Sequence, residues 1–191
     1  MNRADELKLL KQAQNGDKEA FAMIYRENVQ TIYRYVYHRV NNSQLAEDIT
    51  GDVFIRALER LDKYRDTGVP FIAWLYRIAH GRVVDYYRRQ DRRPTETALD
   101  AQPLPVESDM DAGMMMQDIA AILRSALDKL TDDQQEVIIL RFIEAKPIAE
   151  VAMMMGKKAN AIKALQHRAL RALARQLERS GLDIETILAE L

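Results

Sequence analysis

Lys163, His167, Arg171 and Arg175 recur at four-residue steps, the spacing that places side chains on one face of a helix. A stripe of cations on a helix neutralises phosphates, and the first turns of such a helix reach base edges in a major groove. A solvated helix face has the same composition, so the stripe alone leaves both readings open. A second stretch, Pro70 to Arg89, sets Trp74, Arg77, Gly81 and Arg88 opposite an apolar side. Unpaired nucleic acid asks for an aromatic beside arginines, because bases stack while the backbone needs countercharge. A lone Trp filling the core is the plainer alternative. Third, Asp48 and Asp52 stand four residues apart. Such a pair repels slightly and does not support its own helix, which suits an external cationic partner or simple solvation.

Covalent and metal chemistry have little to work with. Among 191 residues there is no cysteine, which excludes a disulfide framework, an iron–sulfur cluster, a thiolate zinc site and a cysteine nucleophile. His38, His80 and His167 are far apart and lack metal-ligand spacing, and neither a phosphate-cradling glycine loop nor a nucleophile elbow occurs. The methionine clusters at 114–116 and 153–155 read as adaptable packing. The chain is expected to be no enzyme and to need no cofactor. Its opening residues lack the apolar core of a signal peptide, and no apolar run approaches the roughly 20 residues of a bilayer span. A cytoplasmic protein without membrane insertion is the expectation.

Those residues sit in a chain whose formal net charge of -1 hides a strong segregation. Tyr76 to Pro94 holds six arginines against two acids, and Met155 to Arg179 holds seven cations against one acid. Between them, residues 95–118 carry six acids and no Lys or Arg, with Pro103, Pro105 and Gly113, as expected of a flexible tether.

The elements that position the candidates are helices. Asn15-Gly16-Asp17 reads as a turn, after which Phe21, Ile24, Tyr25, Val29, Ile32 and Val36 recur at helical spacing. Asn41-Asn42-Ser43 ends that helix and caps the next, whose stripe is Leu45, Ile49, Val53, Phe54, Ala57 and Leu61. A loop through Asp66, Gly68 and Pro70 precedes a long helix with Ile72, Leu75, Ala79, Val83 and Tyr86 on one side. Thr131-Asp132-Asp133-Gln134 fits a capping box. Pro147 suits the first turn of a short helix, Gly156 a turn, and Ile162, Leu165, Ala169, Leu173 and Leu177 the buried side of the last helix. This is a helix-turn-helix pattern. Leu182, Ile184, Ile187, Leu188 and Leu191 fit a small docking helix.

Taken in this order, the segments resemble the extracytoplasmic-function sigma factors of bacterial RNA polymerase, a group within the sigma-70 family. The resemblance runs from about Gly16 to Leu177. It lies in Ala46-Glu47-Asp48-Ile49-Thr50 with Val53-Phe54, in Ala73-Trp74-Leu75-Tyr76-Arg77-Ile78-Ala79 with Asp85-Tyr86 and Arg88-Arg89, in Leu130, Gln134, Val137 and Leu140-Arg141-Phe142, and in Glu150-Val151-Ala152, Gly156 and Ile162-Lys163-Ala164 through Leu170.

The resemblance implies an all-α protein of two small domains. Residues 1–94 would form a sigma-2 helical bundle, 95–118 an acidic linker threading the polymerase cleft, and 119–191 a sigma-4 helix-turn-helix domain. The implied function is to bind core RNA polymerase, recognise minus-35 and minus-10 promoter elements, and assist melting. Asp48, Asp52, Phe54 and Arg56 would meet the polymerase, whose β′ clamp helices and β flap are the implied partners. Tyr64, Phe71, Trp74, Arg77, Gly81, Arg88 and Arg89 would meet the minus-10 element. Lys158, Asn160, Lys163, Ala164, His167, Arg168 and Arg171 would meet the minus-35 element. An anti-sigma factor is a further implied partner; a small-molecule substrate is not. Many members carry Asn where this chain has Gly81, and Asn160 replaces a usual glycine ahead of the last helix, where Asn would tolerate a left-handed turn. The rival reading is a free-standing helix-turn-helix regulator that acts without polymerase.

Overall fold

A computed structural model of the chain describes residues 2–90 and 110–180, with side chains in the second stretch from 119 onward. All regular structure among the described residues is helical, and the chain divides into two compact units.

The first unit holds α1 (Arg3–Gln14), α2 (Lys18–Val40), α3 (Ser43–Glu59), a 3-10 turn at Leu61–Lys63, and α4 (Phe71–Gln90). Side chains fix the helix starts, as the sequence leads one to expect. Asp17 accepts from the N–H groups of Glu19 and Ala20 at 3.0 and 3.1 Å, and Asn42 from that of Leu45 at 2.8 Å, satisfying donors that have no partner inside the helix. Asn41, at φ 50, turns the chain out of α2 in the left-handed region that Asn tolerates.

Helix α2 packs on α1, α3 and α4, and α3 packs on α4. The core between them includes Ile24, Ile32, Val36, Val53, Leu75 and Val83. Two edge-on aromatic pairs lock it: Tyr25 with Phe54 at 4.8 Å and Tyr35 with Tyr76 at 5.0 Å, each about 1 kcal/mol beyond plain burial. The apolar side of α4 is not quite the expected one. Phe71, Ala73, Leu75, Tyr76, Ala79 and Val83 are buried, whereas Ile72 and Tyr86 are half-exposed. The tyrosine hydroxyl conceals Tyr76 in a hydropathy reading, although its ring is wholly enclosed.

The second unit holds α5 (Met110–Asp128), α6 (Asp132–Ile138) running straight into a π turn (Ile139–Ile143), the first residues of α7 (Ile148–Met155), and α8 (Ala159–Arg179). Helix α8 packs on α5 and α6. Ile162, Leu165, Ala169, Ala172 and Leu177 are its buried side, matching the expected stripe except that Leu173 is half-exposed. The capping box forms, with Gln134 Oε1 accepting from the N–H of Thr131 at 3.2 Å. In the π turn the Glu144 N–H reaches back five residues to the Ile139 carbonyl at 2.9 Å. Ala145 follows at φ 51 and Gly156 ends α7 at φ 63.

One boundary moves. Residues 110–118, expected in the acidic linker, belong to the first half of α5. Ala112 and the Met114–Met116 run favour a helix strongly enough to carry Gly113 with them. The rest of the acidic segment, Arg92, Arg93 and the tail from 182 to 191 lie outside the described residues.

Candidate nucleic-acid interface

In the second unit, α8 separates its residues cleanly. Lys158, Asn160, Lys163, Ala164, His167, Arg168, Arg171 and Arg175 are all exposed, over the buried Ile162, Leu165 and Ala169. At 1.5 Å per residue, Asn160 to Arg175 span about 22 Å. That length suffices for an N-terminal part inserted in a major groove and a remainder alongside phosphates, the arrangement general to helix-turn-helix modules.

Arg141, on the π turn, holds this helix. Its Nε donates to Gln166 Oε1 on α8 at 3.0 Å, and another of its nitrogens donates to the carbonyl of Lys146. Lys157 is tied to Asp133 at 3.1 Å. Arg141 and Gln166 are positioning residues that sequence reasoning missed, since nothing in their spacing, 25 residues apart, announces a bond. Asn160 is not at a left-handed position: it lies in the first turn of α8, and Gly156 supplies the reversal.

In the first unit, Trp74 is half-exposed on α4. Its ring is 5.3 Å from that of Tyr64 and 5.2 Å from that of Phe71. Tyr64 is itself fastened: Gln14 Nε2 donates to its carbonyl at 2.9 Å and to that of Leu61 at 2.8 Å. Arg3 ties Glu6 to Asp66 on the same loop, and Glu6 accepts from the N–H of Phe71 at 3.3 Å. Burial pushes the Tyr64 phenol above its ordinary pKa, and Arg3 opposes the shift.

Arg77, Gly81, Arg88 and Arg89 are exposed along α4. Trp74, Arg77 and Gly81 line one open cleft of about 400 Å³ with Arg56, Arg60 and Arg82. Arg89 faces a different groove of about 560 Å³, beside Glu47, Asp48 and Asp52. The minus-10 candidates are therefore divided between two sides of α4.

Three expectations need correction. Phe71 has no exposed surface and Phe54 only 4 %; both are core side chains, Phe71 against Tyr64 and Trp74 and Phe54 against Tyr25, and neither presents its ring to a base or a partner. Asp52 is not left to an external cation. It pairs with Arg82 on α4 at 2.5 Å and with Arg56 at 3.7 Å, which also occupies Arg56. Asp48 is exposed as expected.

Residues 24–93 match the family model for Sigma-70 region 2, and residues 126–175 that for Sigma-70, region 4. The chain is 31% identical over 180 residues to the ECF RNA polymerase sigma factor ShbA of Streptomyces griseus, covering 88% of this chain and 94% of that protein. The chain belongs to the extracytoplasmic-function sigma factors. This sigma factor is also 38% identical to BldN of Streptomyces coelicolor over 90% of its own length, and spans 65% of that relative. Among solved structures, CnrH in complex with the cytosolic domain of CnrY superposes with a TM-score of 0.67 at 26% identity, covering 92% of this sigma factor and 98% of CnrH. The match of region 4 takes in α8 as far as Arg175, and that of region 2 takes in Trp74 and Asp48.

Proposed function

We propose that this sigma factor divides its work by unit: residues 1–94 hold core polymerase and the minus-10 element, the stretch from α5 onward reads the minus-35 element, and the acidic segment ahead of α5 bridges them. Lys163, Ala164 and His167 lie nearest the bases; Lys158, Arg168 and Arg171 serve the phosphates. Trp74, with Tyr64 behind it, receives an unpaired base, and Arg77 and Arg88 supply countercharge. Asp48 meets the β′ clamp helices. Polymerase performs the nucleotidyl transfer, so the chain is no enzyme, takes no cofactor or small-molecule substrate, and acts in the cytoplasm. CnrH is held by the cytosolic domain of another protein; by that likeness an anti-sigma factor restrains this chain too.

The observation that carries this reading is the face of α8, where every candidate for the minus-35 element is exposed over a continuous buried stripe. Run-off transcription with purified core polymerase and a promoter library tests it. Transcripts starting at a shared motif, and only when the chain is added, are expected. A free-standing regulator would instead bind duplex DNA by itself at submicromolar concentration, at a two-fold symmetric site.

A further inference from the structure

Arg141 joins three segments of the second unit: the π turn that carries it, the loop ahead of α7 through the Lys146 carbonyl, and α8 through Gln166 Oε1 at 3.0 Å. The Lys146 N–H in turn donates to the Leu140 carbonyl at 2.9 Å, so both backbone groups of Lys146 are held by consecutive residues of the turn. Gln166 sits at the border of the two sides of α8, between buried Leu165 and exposed His167, and one turn from Lys163. Both acceptors of the guanidinium are neutral. It is placed by the directions of its bonds, which a planar fork fixes more sharply than a single donor could.

We propose that Arg141 is a positioning residue for base readout: through Gln166 it sets the rotation of α8 about its own axis, and so where Lys163 and His167 meet the minus-35 bases. The brace deepens the sigma-factor reading and rests on it. Apolar contacts under Ile162, Leu165 and Ala169 hold the helix down, but burial has no direction and leaves small rotations cheap. At the roughly 5–6 Å radius of a helix with its side chains, a turn of about 10° moves a side-chain tip by about 1 Å. Base-edge contacts need placement within about 0.5 Å, whereas a cation near a phosphate forgives such a shift. Loss of the brace therefore costs discrimination between bases and spares the attraction to the backbone.

Competition binding by the holoenzyme, between the selected minus-35 element and its single-base variants at several salt concentrations, tests the brace. Gln166→Met keeps the side-chain length and a good helix residue but removes the acceptor. Discrimination is expected to fall roughly fivefold, the size of one net hydrogen bond, with the salt slope and the minus-10 preference unchanged. Gln166→Glu retains an acceptor and should keep both the discrimination and the preferred bases, at some loss of overall affinity. Arg141→Met should lose at least as much as Gln166→Met with the same slope, and joining the two substitutions should cost nothing beyond Arg141→Met alone. Four results overturn the brace. Discrimination untouched by Gln166→Met means that α8 needs no such tie. A slope lowered by about 0.9 in Arg141→Met means that Arg141 meets a phosphate itself. A changed base preference in Gln166→Glu means that Gln166 reads a base directly. Additive losses mean that the two side chains act apart. Run-off transcription by the wild-type chain separates the layers: transcripts accompanied by any of those four results discard the brace alone, whereas no transcripts discard the sigma-factor reading and the brace together.

Discussion

Tyr64 and Trp74 lie with ring centroids 5.3 Å apart and planes inclined at 56°, which fixes the indole from behind while leaving it half-exposed in front. The pair joins a loop to a helix, and it is the loop that Gln14 and Arg3 hold down. If a base stacks on Trp74 as proposed, it meets a plane already oriented, so little ordering remains to be done on binding.

Replacing that plane separates folding from opening. Trp74→Phe retains most packing against Phe71 and shifts the unfolding midpoint little. Stacking on an aromatic contributes about 1–3 kcal/mol per base relative to alanine; Phe keeps a smaller ring, so promoter opening by the holoenzyme is expected to fall about twofold to threefold with Trp74→Phe and roughly tenfold or more with Trp74→Ala. Permanganate reactivity of unpaired thymines measures it, and unaltered opening would remove Trp74 from the strand site.

Gly81 offers the reverse test. A Cβ added there meets nothing within 4 Å, and Asn is a better helix residue than Gly by a few tenths of a kcal/mol. Gly81→Asn should therefore raise stability slightly while adding an amide to the cleft beside Trp74. Selection from a randomised minus-10 library is expected to return a changed preference with the minus-35 preference intact.

On α8 the two proposed kinds of contact predict different signatures in the holoenzyme. Lys163→Ala is expected to weaken discrimination at a minus-35 base by about 1–3 kcal/mol. Arg171→Ala should weaken all promoters alike and lower the salt slope by about 0.9, one phosphate on duplex DNA. Competition binding at several salt concentrations distinguishes them.

Backbone handedness can be tested by stability alone. Ala145 holds φ 51, a region costly for a residue with a Cβ, so Ala145→Gly is expected to stabilise the second unit by about 1 kcal/mol. At Gly156, with φ 63, the substitution Gly156→Ala should cost about as much. Urea midpoints of the two variants should move in opposite directions.

Alkaline pH acts through two phenols. Burial pushes both Tyr64 and Tyr33 above their ordinary pKa; Arg3 opposes the shift at Tyr64, and Glu47 adds to it at Tyr33. The folded chain then keeps these protons longer than the unfolded chain does. Their contribution is full below about pH 10 and is lost as pH rises further. Urea midpoints followed from about pH 7 to about pH 11 should stay level and then fall, and Tyr64→Phe should soften the fall.

Much of this was legible in the chain because local rules decide it. Thr131 with Gln134, Asn42 ahead of α3, and Gly156 after α7 act within a few residues of themselves. The cations and apolar residues of α8 alternate at a period that only one helix face can satisfy. What stayed hidden depends on partners distant in sequence. Asp52 gives no sign that Arg82, a helix away, neutralises it, and Phe54 and Phe71 have the same letters whether a ring enters the core or faces a base. Ala145 carries no hint of its conformation, because alanine, unlike Gly or Asn, does not signal a left-handed turn.

The π turn at Ile139–Ile143 is a one-residue slip kept inside a helix. Deleting a residue from it would restore the regular pitch and swing the chain that follows by about 100° around the axis. Where the polypeptide heads next thus depends on counting: in that stretch a changed letter is a lesser event than a changed length.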